Sequence, residues 1–176
     1  LCTDLEISRE GAQSILEAAV DRSFNLISID SDQSTSDMAI LLSSNKRPID
    51  DIRIFEEALV GVCRDLAFDV VRNGEGTEHV IRVSIEGAPS EGVAFGSAKA
   101  IVNSPLVKTA ICGNDPNVGR IVMALGDYIG SAGLGLDSGG VTIAIGGIEV
   151  FSDRVFGLDP IKEGKISEYL ESRSLG

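Results

Sequence analysis

Asp30-Ser31-Asp32-Gln33-Ser34-Thr35-Ser36-Asp37 is an unbroken polar run between two apolar ones, "FNLISI" before it and "MAILL" after it. Three carboxylates and four hydroxyls within eight positions are more chemistry than a short connection needs. Calcium is one use for such residues, but an EF-hand loop requires Gly at its sixth position and Glu at its twelfth. Counted from Asp30, those positions hold Thr35 and Leu41, so the motif fails. Magnesium-dependent phosphoryl transfer is a second use. There Asp30 would attack phosphorus, Asp32 would serve as acid and base, and Ser34 would touch the phosphate. That reading needs a buried strand before the loop and a Lys with paired Asp residues further on, and no such later cluster is evident. A third use is plain architecture, in which Asp and Ser side chains cap and bend the backbone of a hairpin loop.

Two further stretches have the same character. In "VRNGEGTEHV", Glu75 stands between Gly74 and Gly76 directly after a helical pattern, where neighbours without side chains let a ligand approach the carboxylate. The bland alternative is a helix C-cap with an incidental acid. In "SPLVKTAICGNDPNVGRI", Lys108, Asn114, Asp115, Asn117 and Arg120 surround a Gly/Pro loop that opens a helix. This is either a capped turn or an anion-contacting helix start. It is no Walker loop, because the Gly-Lys-Ser/Thr ending is missing.

The elements that must hold these residues read as mixed α and β. Ser8 caps a helix to Ser23 with its apolar stripe at Ala12, Ile15, Leu16, Ala19 and Val20. "FNLISI" and "MAILL" alternate or run apolar and predict two strands joined as a hairpin across the polar loop. "SSNKRPIDD" predicts a turn leading into a helix that keeps its spacing from Ile54 to Arg72 and stops at Asn73-Gly74. "HVIRVSIEG" alternates strictly and predicts a strand. "EGAPSEG" at 86–92 is the linker signal. Beyond it the pattern predicts a helix over 93–102, a strand at "VKTAICG", a helix over 118–132, a strand pair around Gly146-Gly147, and a short helix near Ile166 to Leu170. The expected division is 1–87 and 88–176.

Composition narrows the functions. The 176 residues, 43% hydrophobic and 24% charged, describe a globular chain. No apolar run approaches the roughly 18 residues of a membrane span, so a soluble protein is expected. A net charge of -12, with fifteen scattered Lys and Arg, argues against nucleic acid and anionic membranes as partners. Cys2, Cys63 and Cys112 are odd in number and far apart, which fits neither a disulfide framework nor a zinc site and suggests a reducing compartment. The opening Leu1-Cys2-Thr3 carries no initiator Met and no basic or amphipathic leader, as expected of a processed chain or of a stretch from inside a longer one.

Three of these stretches together carry a resemblance. "CTDLEIS", "DRSFN" and "DSDQSTSD" resemble, in that order, the Thr-Thr-Asp segment, the "RSFN" and the "DGDTSTND" found near the start of the β chain of the ornithine acetyltransferase family, the bifunctional glutamate N-acetyltransferases of arginine biosynthesis. "NGEGTEH" looks like the family's "DGEGATK", and "SPLVKTAICGNDPNVGRI" looks like its "SPLVKTAIxGxDPNWGRI". The likeness spans Thr3 to about Phe151. Val118 stands where the family usually has Trp, His79 where it has Lys, and Gln33 and Ser36 where it has Thr and Asn. A C-terminal "YVxINAxYxT"-like segment is not found in "SEYLESRSLG".

What the resemblance implies is an N-terminal-nucleophile acyltransferase of α/β (α+β) class. The expected fold is part of an α-β-β-α sandwich, completed by an α chain from the same precursor, followed by a small C-terminal α+β domain. The nucleophilic Thr is expected just upstream of Leu1, and no residue of this chain is assigned as catalytic. Glu75 is expected to bind substrate by pairing with its α-ammonium group, while Asp30, Asp32, Thr35, Asp37, Lys108, Asn117 and Arg120 shape the site. The implied substrates are N-acetylornithine and glutamate, the assembly α2β2, the location cytoplasmic or organellar, with no metal or cofactor. A related self-processing hydrolase or aminopeptidase, passing the acyl group to water, is the alternative, and the phosphatase reading of Asp30 and Asp32 is the outlier.

Overall fold

The structure, a computed structural model, describes residues 1–32, 34–135 and 138–174. The chain divides into two compact units, Leu1–Glu75 and Gly76–Gly176. Among the described residues there are six α-helices and two small sheets, a mixed α/β chain.

In the first unit β1 (Cys2–Leu5) lies parallel to β2 (Leu42–Arg47), and α1 (Arg9–Asp21) and α2 (Ile52–Arg72) pack together. Ser8 caps α1 by accepting from the Gly11 N–H at 3.1 Å. Asp51 caps α2 through the Arg53 N–H, and its carboxylate also holds the Arg53 guanidinium at 2.9 and 2.8 Å. That guanidinium keeps the Asp51 carboxyl below its ordinary value. Ile15 and Ala19 of α1 meet Leu59, Val60 and Cys63 of α2 to form the core, with Phe24, Leu41 and Phe55 packed around it.

The hairpin expected across the polar loop is not there. "FNLISI" forms a 3₁₀ turn at Phe24–Leu26, because the buried Ser23 hydroxyl donates to the Ala19 carbonyl at 2.6 Å and folds the chain back. This turn brings Phe24 onto the core. Of "MAILL" only Leu42 enters a strand, and that strand runs on through residues read as a turn, Ser43 to Arg47. Its partner is β1, which the sequence reading missed. Both strands owe their place to backbone pairing and to Asn45, which adopts φ 52° and accepts from the Ile7 N–H at 3.0 Å. Their side chains are mostly exposed and polar, so they carry little periodic signal.

The second unit holds α3 (Glu91–Asn103), α4 (Pro105–Cys112), α5 (Val118–Ser131), the antiparallel sheet β3 (Ile143–Ile145), β4 (Ile148–Ser152) and β5 (Val155–Phe156), and α6 (Pro160–Glu171). Gly146 and Gly147, at φ 58° and 82°, make the two-residue turn between β3 and β4 as expected. The aromatic ring of Tyr169 on α6 lies against Gly146 so closely that a Cβ there would come within 2.7 Å of it. "VKTAICG" is a helix rather than a strand. Ser104 caps it through the Val107 N–H, Pro105 occupies the first helical turn, and Val107 and Ala110 turn inward one helical step apart. The β-branched residues that suggested a strand are overruled by that start signal. "HVIRVSIEG" forms no strand, because it joins neither sheet and finds no ladder partner among the described residues. Two apolar clusters build this unit, one around Val118, Val150, Phe151, Ile166 and Leu170, the other around Ile101, Val107 and Ala124.

Candidate functional site

Every described residue of the polar loop is exposed. Asp30 Oδ1 accepts from the Asp32 N–H at 2.9 Å, and Ser34 Oγ accepts from the Ser36 N–H at 3.1 Å. Between them Ser31 takes φ 77°, a left-handed conformation that the Asp30 turn supports. Gln33 lies outside the described residues. Asp30 thus bends its own loop, and the strand that would have aimed Asp30 and Asp32 at a phosphate is the 3₁₀ turn described above. Thr35 and Asp37 stand on the same exposed segment. No group of three His, Cys, Asp or Glu able to hold a metal occurs among the described residues.

Glu75 follows the end of α2. Asn73 closes that helix, its N–H and side-chain amide both donating to the Asp69 carbonyl at 3.1 and 2.8 Å. Gly76 then turns at φ 69°, and a Cβ on it would meet nothing within 4 Å. Glu75 is exposed, in the turn that follows the end of α2.

Lys108, Asn117 and Arg120 belong to the second unit. Asn117 caps α5 by accepting from the Arg120 N–H at 3.3 Å, and its amide donates to Asp115 at 3.1 Å. The Arg120 guanidinium donates to the Leu106 carbonyl at 2.8 Å and to the Thr109 hydroxyl at 2.9 Å, tying α5 to the first turns of α4. Arg120 thus fastens two helices, and an anion at this helix start would compete with the cap already in place. Asn114 bends the connection at φ 53°, with its side-chain oxygen buried and unpartnered. Lys108 is half-buried on α4. His79, half-buried, bonds through Nε2 to the Leu170 carbonyl at 3.2 Å, which gives the departure from Lys at this position a packing role.

The sequence reading did not anticipate two features. A groove of about 360 Å³ runs beside the first turn of α1, lined by Ser8, Arg9 and Gln13 on one side and Ile40, Ser43 and Asn45 on the other. Ser8, Ser43 and Asn45 are already engaged with backbone groups of the frame, so the groove belongs to the scaffold. The second is a contact of the Cys112 thiol with the Glu78 carboxylate at 3.4 Å, which pushes the thiol pKa up. No spacing rule in the sequence pairs those residues.

Residues 1–175 match the profile of the ArgJ family. The chain is 47% identical over 124 residues to the arginine biosynthesis bifunctional protein ArgJ 2 of Clostridium acetobutylicum, covering 70% of this chain and 32% of that protein. It is 45% identical over 129 residues to the glutamate N-acetyltransferase of Methanocaldococcus jannaschii, covering 72% and 32%. The crystal structure of the arginine biosynthesis bifunctional protein ArgJ from Bacillus halodurans superimposes with a TM-score of 0.86 at 35% identity, covering 97% of this chain and 81% of that one. The chain spans about a third of the length of these two curated relatives, 32% of each.

Proposed function

The chain belongs to the ArgJ family, and from that premise we propose that it is the β-chain part of a self-processing glutamate N-acetyltransferase of arginine biosynthesis. Acetyl moves from N-acetylornithine to glutamate by way of an acetyl-threonine. The Thr hydroxyl attacks the acetyl carbonyl, its own α-amine takes the proton, and the C–N bond to ornithine breaks as ornithine's nitrogen regains a proton. The amine of glutamate then attacks the ester, displaces the Thr oxygen and restores the hydroxyl. The Thr stands just upstream of Leu1, as the freed amino end of the β chain; the donors that stabilise the oxyanion belong to an α chain from the same precursor, and the pair associates further to α2β2.

The contribution of this chain is recognition. The observation that carries the reading is the family match over 1–175, within which Glu75 occupies the acidic position of the "GEG" turn. An exposed carboxylate in the turn after α2, between two glycines, suits an ammonium-bearing substrate that must enter, react and leave. Asp30, Asp32, Thr35 and Asp37 shape the exposed loop at 30–37, and Asn117 and Arg120 hold the α4 to α5 connection, with Lys108 on α4 beside it in sequence. The sandwich layers of the fold are completed by the partner chain. In support, α2 carries a second apolar row away from its core face, Ile54, Val62, Leu66 and Val70, from 43% to 64% exposed. The smaller C-terminal domain begins with the linker near Ala88.

The test is an assay of the gene's complete product with N-acetylornithine, with and without glutamate, in the presence of EDTA. The expected result is glutamate-dependent acetyl transfer insensitive to chelation, with an intact mass raised by one acetyl group when acceptor is withheld. Acetate release indifferent to glutamate would move the protein to the hydrolase class, and loss of activity on chelation would move it to the metal-dependent one.

A further inference from the structure

The chain leaves the turn after α2 on two anchors in succession. Glu78 accepts a hydrogen bond at 3.4 Å from the thiol of Cys112, the last residue of α4. His79 bonds through Nε2 to the Leu170 carbonyl, in the last turn of α6, at 3.2 Å. Both anchors lie within the second unit, Gly76–Gly176, and only Gly76 and Thr77 separate the first of them from Glu75. Chain connectivity alone therefore keeps the Cα atoms of Glu75 and Glu78 within about 11 Å of each other. The near end of the same turn is closed by Asn73 on the Asp69 carbonyl.

The two anchors differ in kind. Leu170 is a core residue and His79 is half-buried, so their bond belongs to the packing of the unit. Cys112 and Glu78 are both exposed and enter none of the apolar clusters, so their bond adds little to folding. What it restrains is a turn with glycine at 74 and 76, whose backbone freedom a substrate would otherwise have to remove on binding. A neutral thiol can donate to a carboxylate where a thiolate would repel it, and Glu78 itself pushes the Cys112 pKa up, which keeps the donor in place. The tie is this chain's own. Against "DGEGATK" and "SPLVKTAIxGxDPNWGRI", Glu78 stands in the place of Thr and Cys112 at an open position. We propose that Cys112 is a positioning residue for substrate binding, whose thiol holds Glu78 and so fixes the far end of the turn that carries Glu75. The inference rests on the assignment of Glu75 to the substrate's ammonium group.

Steady-state kinetics of the complete gene product test it. Cys112→Ala should raise KM for the amino-acid substrates about 5-fold with kcat kept within about twofold, the size expected of one hydrogen bond. Cys112→Ser, which keeps a donor, should return KM to within about twofold of the unsubstituted protein. Glu78→Ala should match Cys112→Ala, and the double variant should be no worse than either, because each removes the same bond. Effects that add, or a KM that Cys112→Ser does not restore, would overturn the proposal. So would a drop in kcat that tracks a lowered unfolding midpoint, the mark of a merely structural thiol. If Glu75→Ala raises KM and Cys112→Ala does not, the positioning role fails and the Glu75 assignment stands. A KM indifferent to Glu75→Ala overturns both.

Discussion

In Leu1–Glu75 eight apolar side chains are buried and twelve large hydrophobics stay exposed, whereas in Gly76–Gly176 nine are buried and six exposed, among the described residues. The shorter unit therefore leaves about twice as much bulky apolar side chain in water. Its sheet has two strands and the other has three, and its polar loop is exposed throughout. A folded chain keeps scattered apolar residues outside at little cost, but a contiguous row marks a contact surface. Under the proposed function the first unit would be the one that meets the partner chain and carries the substrate-binding carboxylate, Glu75. The second is a more nearly finished body.

Four changes break or sharpen that contrast. Glu75→Ala should lower kcat/KM for amino-acid substrates by about 100-fold, mostly through KM, while self-cleavage proceeds normally. Unchanged steady-state kinetics would remove the carboxylate from the site. Leu66→Glu, on the outer row of α2, should leave thermal unfolding of this chain within about 0.5 kcal/mol, yet weaken capture of the partner chain about 30-fold in a pull-down titration. Equal loss of both would mean that the row belongs to the unit's own packing. In the second unit Gly146→Ala forces a side chain into positive φ against the Tyr169 ring. It should cost about 2 kcal/mol in denaturant unfolding without altering KM.

The smallest effect concerns acid. The Asp51 carboxyl is held low by Arg53, so its stabilising contribution is complete above the ordinary carboxylate pKa and is lost as pH falls through the lowered value. Replacing Asp51 by Asn should flatten that acid limb of the stability curve slightly and leave neutral pH nearly unchanged, which unfolding midpoints across an acid series would register.

Helices were legible because their signals are local. Ser8, Asn73 and Asn117 mark ends that the structure uses, and apolar spacing marks the faces between them. Strands were less so. β1 and β2 are held by main-chain pairing across about forty residues of sequence, and their exposed polar side chains leave no pattern to read. "VKTAICG" shows the reverse failure, where β-branched residues outweighed the Ser104-Pro105 start signal that in fact decides. For the candidate site, the notable residues could be picked out by type, but not their employment. The stretch holding Arg120 is open, in sequence, between a capped turn and an anion-contacting helix start, and Arg120 is engaged with a carbonyl and a hydroxyl of α4, which is visible only once two helices are brought side by side.

The three free thiols differ in a way that an experimenter can use. Cys63 is fully enclosed, with burial pushing its pKa up, so maleimide reagents should pass it by. Cys2 and Cys112 are exposed, one on each unit, and Cys112 is held protonated by Glu78 and should react later. The wild-type molecule thus comes with two addressable handles of unequal speed, enough to attach donor and acceptor dyes in sequence and follow interdomain distance by fluorescence without engineering a single codon.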